Sequence, residues 1–515
     1  MTVDFSQPIH YLLALLPESV LALVAVALLV GDVVQRGAAT VPSRPWVRRL
    51  AVAGVLVAFA ANGLLLTYDV PDRSGMVALD GFRIAVGFII LAATGLALLL
   101  SFDYLEREGL DIGEVYALVL FAAIGMLVLA AARDLILVFL GVELMSLSIY
   151  VLAGLNRRDP RSAEAALKYF LIGAFASAFL LYGIALLFGA TASTNLALVT
   201  AEIAKGTADA NPLLFVGVGL LIVGFGFKVS AVPFHMWTPD VYEGAPTPIT
   251  GFMAVGVKAA GFAALLRIVT VELHPAEPVW HGILWWLAVL TMIVPNFVAL
   301  AQDSVKRMLA YSSIAHAGYL LVGVVAASAL GRAAVLYYLG VYALMTLGAF
   351  AAVALVAGPG DRRSGLGDFR GLGWRRPALG AALVVFLLSL AGFPPTGGFI
   401  GKLYLLRAAL DGGEVGLAVT LVLTSLVSYY YYLRVIWKMY FETAPAETPE
   451  VAHPAVAFRF ASAVAVAGIL ASGLAPGLAV RAADRAGDSM KTRTVVPLEM
   501  PAPLPGGSEP GATID

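Results

Sequence analysis

Apolar runs of about 20 residues, the length that crosses roughly 30 Å of hydrocarbon, recur along the whole chain. They centre near residues 20, 57, 91, 122, 144, 177, 222, 260, 290, 317, 344, 392, 428 and 468. The pattern predicts an all-α polytopic membrane protein with about fourteen transmembrane helices. The runs are separated by charged or Pro/Gly-rich segments such as RGAATVPSRPWVRR and AGPGDRRSGLGDFRGLGWRRP. One apolar segment, AALKYFLIGAFASAFLLYG (165–183), resembles a later one, AAVLYYLGVYALMTLGAFA (333–351), and each precedes an interrupted span that bears a lysine. Inverted repeats with broken helices near the mid-plane mark ion-coupled transporters.

The expected organisation is three helices over residues 1–110, a five-helix repeat over 111–275 and a second over 276–441. A last helix follows over 442–484, and a Pro/Gly-rich tail over 485–515 reads as disordered. The start, MTVDFSQPIHYLLALLPESV, lacks the basic segment of a cleaved signal, so its apolar run is expected to be retained.

Composition agrees with that picture: 60% of residues are hydrophobic and 13% charged, against about 25% charged in soluble domains. A net charge of −1 offers nothing to nucleic acid, and the absence of cysteine excludes disulfides, thiolate metal centres and covalent haem. Basic residues set the orientation. With the N-terminus outside, the inner loops collect Arg36, Arg44, Arg48, Arg49, Arg157, Arg158, Arg161, Lys306, Arg307, Arg362, Arg363, Arg370, Arg375 and Arg376. The outer loops keep only Arg73, Arg133, Lys205 and Arg332. Both termini are then expected on the periplasmic side of a bacterial plasma membrane. The acidic segment 103–112 falls inside, against the trend.

The two basic residue types divide unequally. The 25 arginines lie almost all in loops or at helix ends, whereas four of the eight lysines fall inside apolar runs: Lys168, Lys228, Lys258 and Lys402. One carboxylate joins them, Glu143. A charge at the centre of a lipid-facing helix costs about 3 kcal/mol or more, so such groups face protein or a hydrated path. Guanidinium does not release its proton in proteins, but a buried lysine can. Fixed ion pairs holding helices together are the simpler alternative, yet four lysines against one carboxylate cannot all be balanced statically. Two of the lysines adjoin expected helix breaks, at Pro233 and at Pro394 and Pro395, where freed backbone must be buried in protein or hydrated. His235, just past the first break, and His316 are candidate shuttles or packing residues. They do not form the repeated pair that a b-type haem requires, and no phosphate loop or zinc motif is present. The aromatic cluster SYYYYLRVIW (428–437) reads as packing rather than as a quinone site.

FKVSAVPFHMWTPDVYEGAPTPITGFMAVGVKAAGFAALLR (227–267), KRMLAYSSIAHAGYLLVG (306–323) and AGFPPTGGFIGKLYLL (391–406) resemble the antiporter-like membrane subunits of proton-pumping NADH:quinone oxidoreductase, respiratory complex I. The TPDVYEGAPTP loop, a lysine at 402 and a chain that stops soon after its fourteenth span fit the N type. The resemblance covers roughly residues 110–440. It implies inverted repeats over helices 4–8 and 9–13, with helices 7 and 12 broken. Glu143, Lys168, Lys228, Lys258, Lys402 and His235 then form the proton relay. It implies no cofactor in this chain, with FMN, iron–sulfur clusters and quinone in partner subunits, and M-type and small K-type subunits as neighbours in the bilayer.

The expected mechanism pairs Glu143 with Lys228, tuned by Lys168, and passes a proton through Lys258 to Lys402 at the exit. A charge pair about 4 Å apart at an effective dielectric near 20 interacts by about 4 kcal/mol, enough to move a lysine across neutrality. The competing expectations are an Mrp-type sodium/proton antiporter subunit and a structural spacer of a membrane complex.

Overall fold

A computed structural model describes residues 12–36, 45–67, 75–207, 211–445, 451 and 453–490. Among these, thirteen helices are long and apolar enough to cross a membrane. A fourteenth span is split into Pro377–Ala391 and Gly397–Asp411, each half too short to cross alone. In chain order the spans begin with Leu16–Arg36, Pro45–Leu64, Gly81–Arg107, Gly113–Ala131 and Leu135–Ala153. Pro160–Thr191 is the sixth, and the seventh is broken into Pro212–Val229 and Trp237–Gly244. Thr247–Leu266, Glu277–Leu300, Val305–Val325 and Ala329–Ala357 are the eighth to eleventh; the split span is the twelfth, followed by Val415–Phe441 and Val456–Leu474.

Hydrophobicity does not hold helices together when the solvent is hydrocarbon, so close packing through small residues has to. The eighth span shows this most fully. Its core, GFMAVGVKAAGFAALL, is rich in glycine and alanine, and every residue of Thr247–Leu266 is buried. The fourth and fifth spans cross through Gly125, where an added Cβ would lie 2.4 Å from the Met145 nitrogen and 2.9 Å from the Gly141 oxygen. The spans at the rim present large apolar side chains such as Leu23, Phe175 and Phe460 outward.

Ion pairs tie the helix ends. At one face Arg83 meets Glu18 at 2.9 Å, Arg267 meets Asp80 at 2.7 Å and Arg133 meets Glu272 at 3.6 Å. Asp80 caps the third span, its side chain accepting from the Arg83 amide. Burial works to raise the Asp80 carboxyl, but the adjacent Arg267 guanidinium outweighs it and holds the group below its ordinary range. At the opposite face Arg48 pairs with Glu106 at 2.9 Å and Asp111 at 2.5 Å. The acidic segment that ran against the loop-charge trend is therefore partly neutralised by an arginine of the second span.

The expected tail begins later than residue 485. Gly477–Ser489 is a helix packed against the third and eleventh spans. Its Gly487 carbonyl accepts from Arg332 at 3.0 Å, its Ser489 hydroxyl accepts from the Phe82 amide at 2.9 Å, and Asp484 bonds the Tyr404 hydroxyl. Polarity alone marked the part of this stretch from residue 485 on as tail. It is instead part of an amphipathic helix whose Ala483, Ala486 and Gly487 face the bundle. The remainder of the tail, 491–515, lies outside the described residues.

Gly125→Leu is expected to force the fourth and fifth spans apart and to lower the unfolding temperature in detergent. The overpacking cost is about 1–3 kcal/mol or more. Gly219→Leu, at a glycine with nothing within 4 Å of its would-be Cβ, is the control and should unfold with the parent.

Candidate proton path

The seventh span stops at Ser230, which takes a left-handed conformation (φ 63°) three residues before Pro233. Lys228 thus sits in the final turn of a helix, beside carbonyls with no intrahelical donor and at the negative end of the macrodipole. The twelfth span stops in the same manner at Gly392 (φ 86°). The Lys402 ammonium donates to the carbonyl of Ala391, the last residue of that half-helix, at 2.8 Å. Gly392 is required twice over. Its φ disfavours any side chain, and a Cβ there would lie 2.8 Å from the Lys402 chain. Pro233, Pro394 and Pro395 are exposed rather than turned toward the lysines. They mark the breaks in sequence, but the residues that end the helices are Ser230 and Gly392. Freed backbone around the first break is met by side chains: the Val232 amide donates to Thr291 at 2.9 Å, and the Trp237 indole donates to the Phe227 carbonyl at 3.2 Å.

Lys228, Lys258 and Lys402 are all buried, and none forms an ion pair among the described residues. Lys228 donates to the Ser146 hydroxyl at 2.7 Å and to the Tyr150 hydroxyl at 3.3 Å. Glu143, one turn before Ser146 on the same helix, acts on Lys228 through space without touching it. Its Oε1 is buried without a hydrogen-bond partner. The expected direct pair is not formed; a serine and a tyrosine hydroxyl hold the Lys228 ammonium instead. Lys258 bonds Ser313 through both its carbonyl and its hydroxyl, and the Tyr342 hydroxyl donates to that same Oγ at 2.8 Å.

The tenth span fills the space between Lys258 and Lys402. Ser312, Ser313, His316 and Tyr319 repeat at helical spacing and so share a face. His316 bonds the Tyr338 hydroxyl at 2.6 Å through Nδ1 and the Tyr432 hydroxyl at 3.2 Å through Nε2. Tyr432 also bonds Ser312. Tyr319 lies edge-on to the His316 ring, 5.4 Å between centroids, and the Lys402 ammonium lies 4.8 Å from the Tyr319 ring centre. Lys258 and Lys402 both act electrostatically on His316. His316 therefore stands more centrally than its sequence context implied. The clue available was SSIAHAGY, a polar face on an otherwise apolar helix. The tyrosine cluster of the thirteenth span reads in part as packing, as expected, but Tyr432 belongs to this network and Tyr431 donates to Asn296 at 2.9 Å.

Two lysines exchange roles relative to the sequence reading. Lys168 lies at the edge of the bundle, its side chain 40% exposed, paired with Glu164 at 2.7 Å and Asp240 at 2.8 Å. Lys306, expected in an inner loop, is only 1% exposed and pairs with Asp361 at 3.2 Å. The partner is far away in sequence, which is why the pairing was not legible there. His235 is half-buried at the break, its Nδ1 without a hydrogen-bond partner, and is not joined to the row by any hydrogen bond among the described residues.

The TPDVYEGAPTP segment acts as a clamp around this site. Asp240 takes Lys168 and, at 2.9 Å, Arg307; Glu243 accepts from Ser304 at 3.0 Å. The Ala245 carbonyl accepts from Lys306 at 2.7 Å, and the Thr247 hydroxyl donates to Asp361 at 2.6 Å. One short segment thereby ties the broken seventh span to the start of the tenth.

Residues 132–428 match the family model described as NADH:quinone oxidoreductase/Mrp antiporter, transmembrane. A relative from Trichlorobacter lovleyi named NADH-quinone oxidoreductase subunit N is 46% identical over 84% of this chain and 88% of its own. A chain of respiratory complex I from Thermus thermophilus, solved with bound aureothin, is 40% identical at a TM-score of 0.76, covering 90% of this chain and 98% of that one. A chain of the Mrp complex from Dietzia sp. has a TM-score of 0.78 at 21% identity, covering 92% and 97%, a likeness of fold alone. The chain belongs to the NADH:quinone oxidoreductase/Mrp antiporter transmembrane family, among the N subunits of NADH-quinone oxidoreductase.

Proposed function

We propose that this multi-pass chain is a proton-translocating membrane-arm subunit of an NADH:quinone oxidoreductase, and that its buried row moves the proton. One observation carries the reading of the row: three lysines inside the bundle are bonded by hydroxyls and carbonyls, not by carboxylates. A serine or tyrosine hydroxyl accepts from an ammonium and can turn to donate to the neutral amine. Lys228 and Lys258 therefore have partners in either protonation state. His316, held between two tyrosine hydroxyls, has the same latitude.

The route runs from Lys228 to Lys258, then along the His316 face of the tenth span to Lys402. Lys228 packs against the eighth span one turn beyond Lys258, since a Cβ on Gly261 would lie 3.8 Å from the Lys228 Cβ. Glu143 supplies a charge whose strength at Lys228 changes with whatever lies beside it, and a neighbouring membrane subunit of the M or K type would do this. Lys168 and the Asp240 clamp hold the broken helix in position. The repeat over 111–275 and its counterpart over 276–441 each provide one broken helix with a lysine at its carbonyl end. The arginine-rich loops support an orientation with both termini on the periplasmic side of the plasma membrane. Redox chemistry belongs to partner subunits carrying flavin, iron–sulfur clusters and quinone, and this chain contributes the path.

Lys228→Met in the assembled complex is expected to reduce redox-driven proton translocation about tenfold or more, the scale of losing a positioned proton-transfer group. The assay is vesicle acidification per assembled complex, alongside NADH oxidation. Unchanged pumping would sink the lysine relay, and lost assembly with normal pumping per complex would favour a spacer role. His316→Leu should cut translocation comparably, whereas Ser312→Ala, which removes one hydroxyl but leaves His316 with Tyr338 and Tyr432, should cost only about twofold to threefold. Equal, small effects from both would remove His316 from the route. Translocation should also be the same in sodium-free medium, and a sodium requirement would point to the antiporter reading.

A further inference from the structure

Carboxylates at the face where the odd-numbered spans begin are divided by their partners. Glu18, Asp80 and Glu272 are each paired with an arginine, a group that keeps its proton. Glu414, in the short connection between the twelfth and thirteenth spans at the same face, is held by groups of another kind. Its Oε1 meets the His281 Nε2 at 2.9 Å, and its Oε2 accepts from the Trp285 indole at 3.0 Å. His281 and Trp285 lie one turn apart near the start of the ninth span. The Glu414 side chain is 15% exposed and that of His281 32%, so the pair stands at the surface with the carboxylate the more sheltered member.

Behind Glu414 a stripe of hydroxyls runs along the thirteenth span. Thr420, Thr424, Ser428 and Tyr432 follow at four-residue spacing and so share one face. The first three donate to backbone carbonyls of their own helix, at 2.8, 2.7 and 2.6 Å. Such back-bonding is ordinary for hydroxyls in a helix, and the two ends of the stripe are what set it apart. Its deep end is Tyr432, which bonds His316. Tyr319, whose ring the Lys402 ammonium faces, brings its hydroxyl within reach of Thr424 and Ser428. The shallow end is Gly416, where an added Cβ would lie 3.0 Å from the Trp285 ring. The indole that bonds Glu414 thus also packs against the stripe.

We infer that Glu414, paired with His281, is the outer terminus of the proton path, and that the hydroxyl stripe of the thirteenth span leads to it from the Lys402 end of the row. The assignment rests on the route proposed above and supplies its outlet, the face being periplasmic in the proposed orientation. A proton released by Lys402 passes by Tyr319 to Ser428 and Thr424, then by Thr420 to the Glu414 carboxylate. Glu414 hands it to His281, the imidazolium releases it to solvent, and both groups return to their starting state. A hydroxyl relays a proton by accepting one and donating its own. Successive rungs rise about 6 Å along the helix, a step that one bridging water completes. Carboxylate and imidazole exchange protons with each other and with water, whereas a guanidinium partner holds a carboxylate ionised. Trp285 is a positioning residue, fixing the carboxylate oxygen that His281 does not meet.

The test measures NADH-driven proton translocation per assembled complex in inverted membrane vesicles, in ordinary and in heavy water. Glu414→Gln keeps the shape of the side chain and an acceptor for Trp285 but carries no proton. It should lower the translocation rate roughly tenfold or more and enlarge the heavy-water effect, because proton release becomes limiting. Glu414→Asp, which restores a carboxylate, should recover most of the loss. Thr424→Val, of the same shape without the hydroxyl, should cost roughly threefold. Glu277→Gln is the control: Glu277 pairs with His274 at 3.5 Å on the same face, more exposed and away from the stripe, and its variant should match the parent. Glu414→Gln at the parent rate would overturn the proposal. So would equal losses in Glu414→Gln and Glu414→Asp with an unchanged heavy-water effect, which would leave Glu414 a tie between the ninth and thirteenth spans. Thr424→Val at the parent rate would overturn the stripe as its lead. Lys228→Met, measured beside these, separates outlet from route. Translocation lost there but kept in Glu414→Gln rejects the outlet alone, and translocation kept in both rejects the route and its outlet together.

Discussion

An ammonium group inside hydrocarbon has to meet electron-rich oxygen, and in this bundle side-chain hydroxyls and helix carbonyls supply it. Lys402 bonds the last carbonyl of the first half of its own span, and Lys228 sits in the closing turn of another half-helix. Each break uncovers carbonyls that an unbroken helix would have consumed. A carbonyl is a weaker partner than a carboxylate, and that is what the arrangement uses. A buried lysine locked to a carboxylate is a static ion pair, whereas a lysine held by dipoles and hydroxyls keeps a partner after its proton leaves.

The same bundle contains the contrasting case. Lys306 is as buried as the other three, but Asp361 faces it directly, with the Thr247 and Tyr104 hydroxyls donating to the same Oδ2. Around it, Asp240 and Glu243 gather a lysine, an arginine and serines from other spans. Charge paired in that way fixes structure. The protein thus separates two settings of lysine by partner chemistry: carboxylates where helices are fastened, hydroxyls and carbonyls along the row we propose to carry the proton. The fastening lies at the ends of the spans, and the lysines that bond no carboxylate lie within them.

Much of this was legible in the sequence because lipid is a demanding solvent. Every span has to be apolar over its length, so the fourteen runs stand out, and any residue that violates the rule is visible. Lys228, Lys258 and Lys402 were found for that reason, as were the approximate positions of both breaks. Other features were invisible for equally physical reasons. Lys306 looked like a loop residue because burial at a helix end depends on what folds over it, here a loop more than fifty residues further on. Lys168 looked buried because its run is apolar, yet a helix at the bundle edge can turn one charged position toward an outer salt bridge. His316 looked like one histidine in one helix until the eleventh span brought Tyr338 and Tyr342, and the thirteenth Tyr432, to its ring.

The helix ends tell the same story on a smaller scale. Proline signalled both interruptions, but proline only forbids helix, and where the chain leaves the helix was set by Ser230 and Gly392 adopting left-handed backbone. The polar stretch after residue 476 lacked enough apolar length to read as a span, and its helix exists because the third and eleventh spans supply a surface for its small residues. The solvent, the number of spans, the family and the lysines that violate the lipid rule could all be read from residue order, since each follows from local composition or from short motifs. Which of those lysines meet carboxylates and which meet hydroxyls was settled by folding, because partners so far apart in the chain are brought together by packing alone.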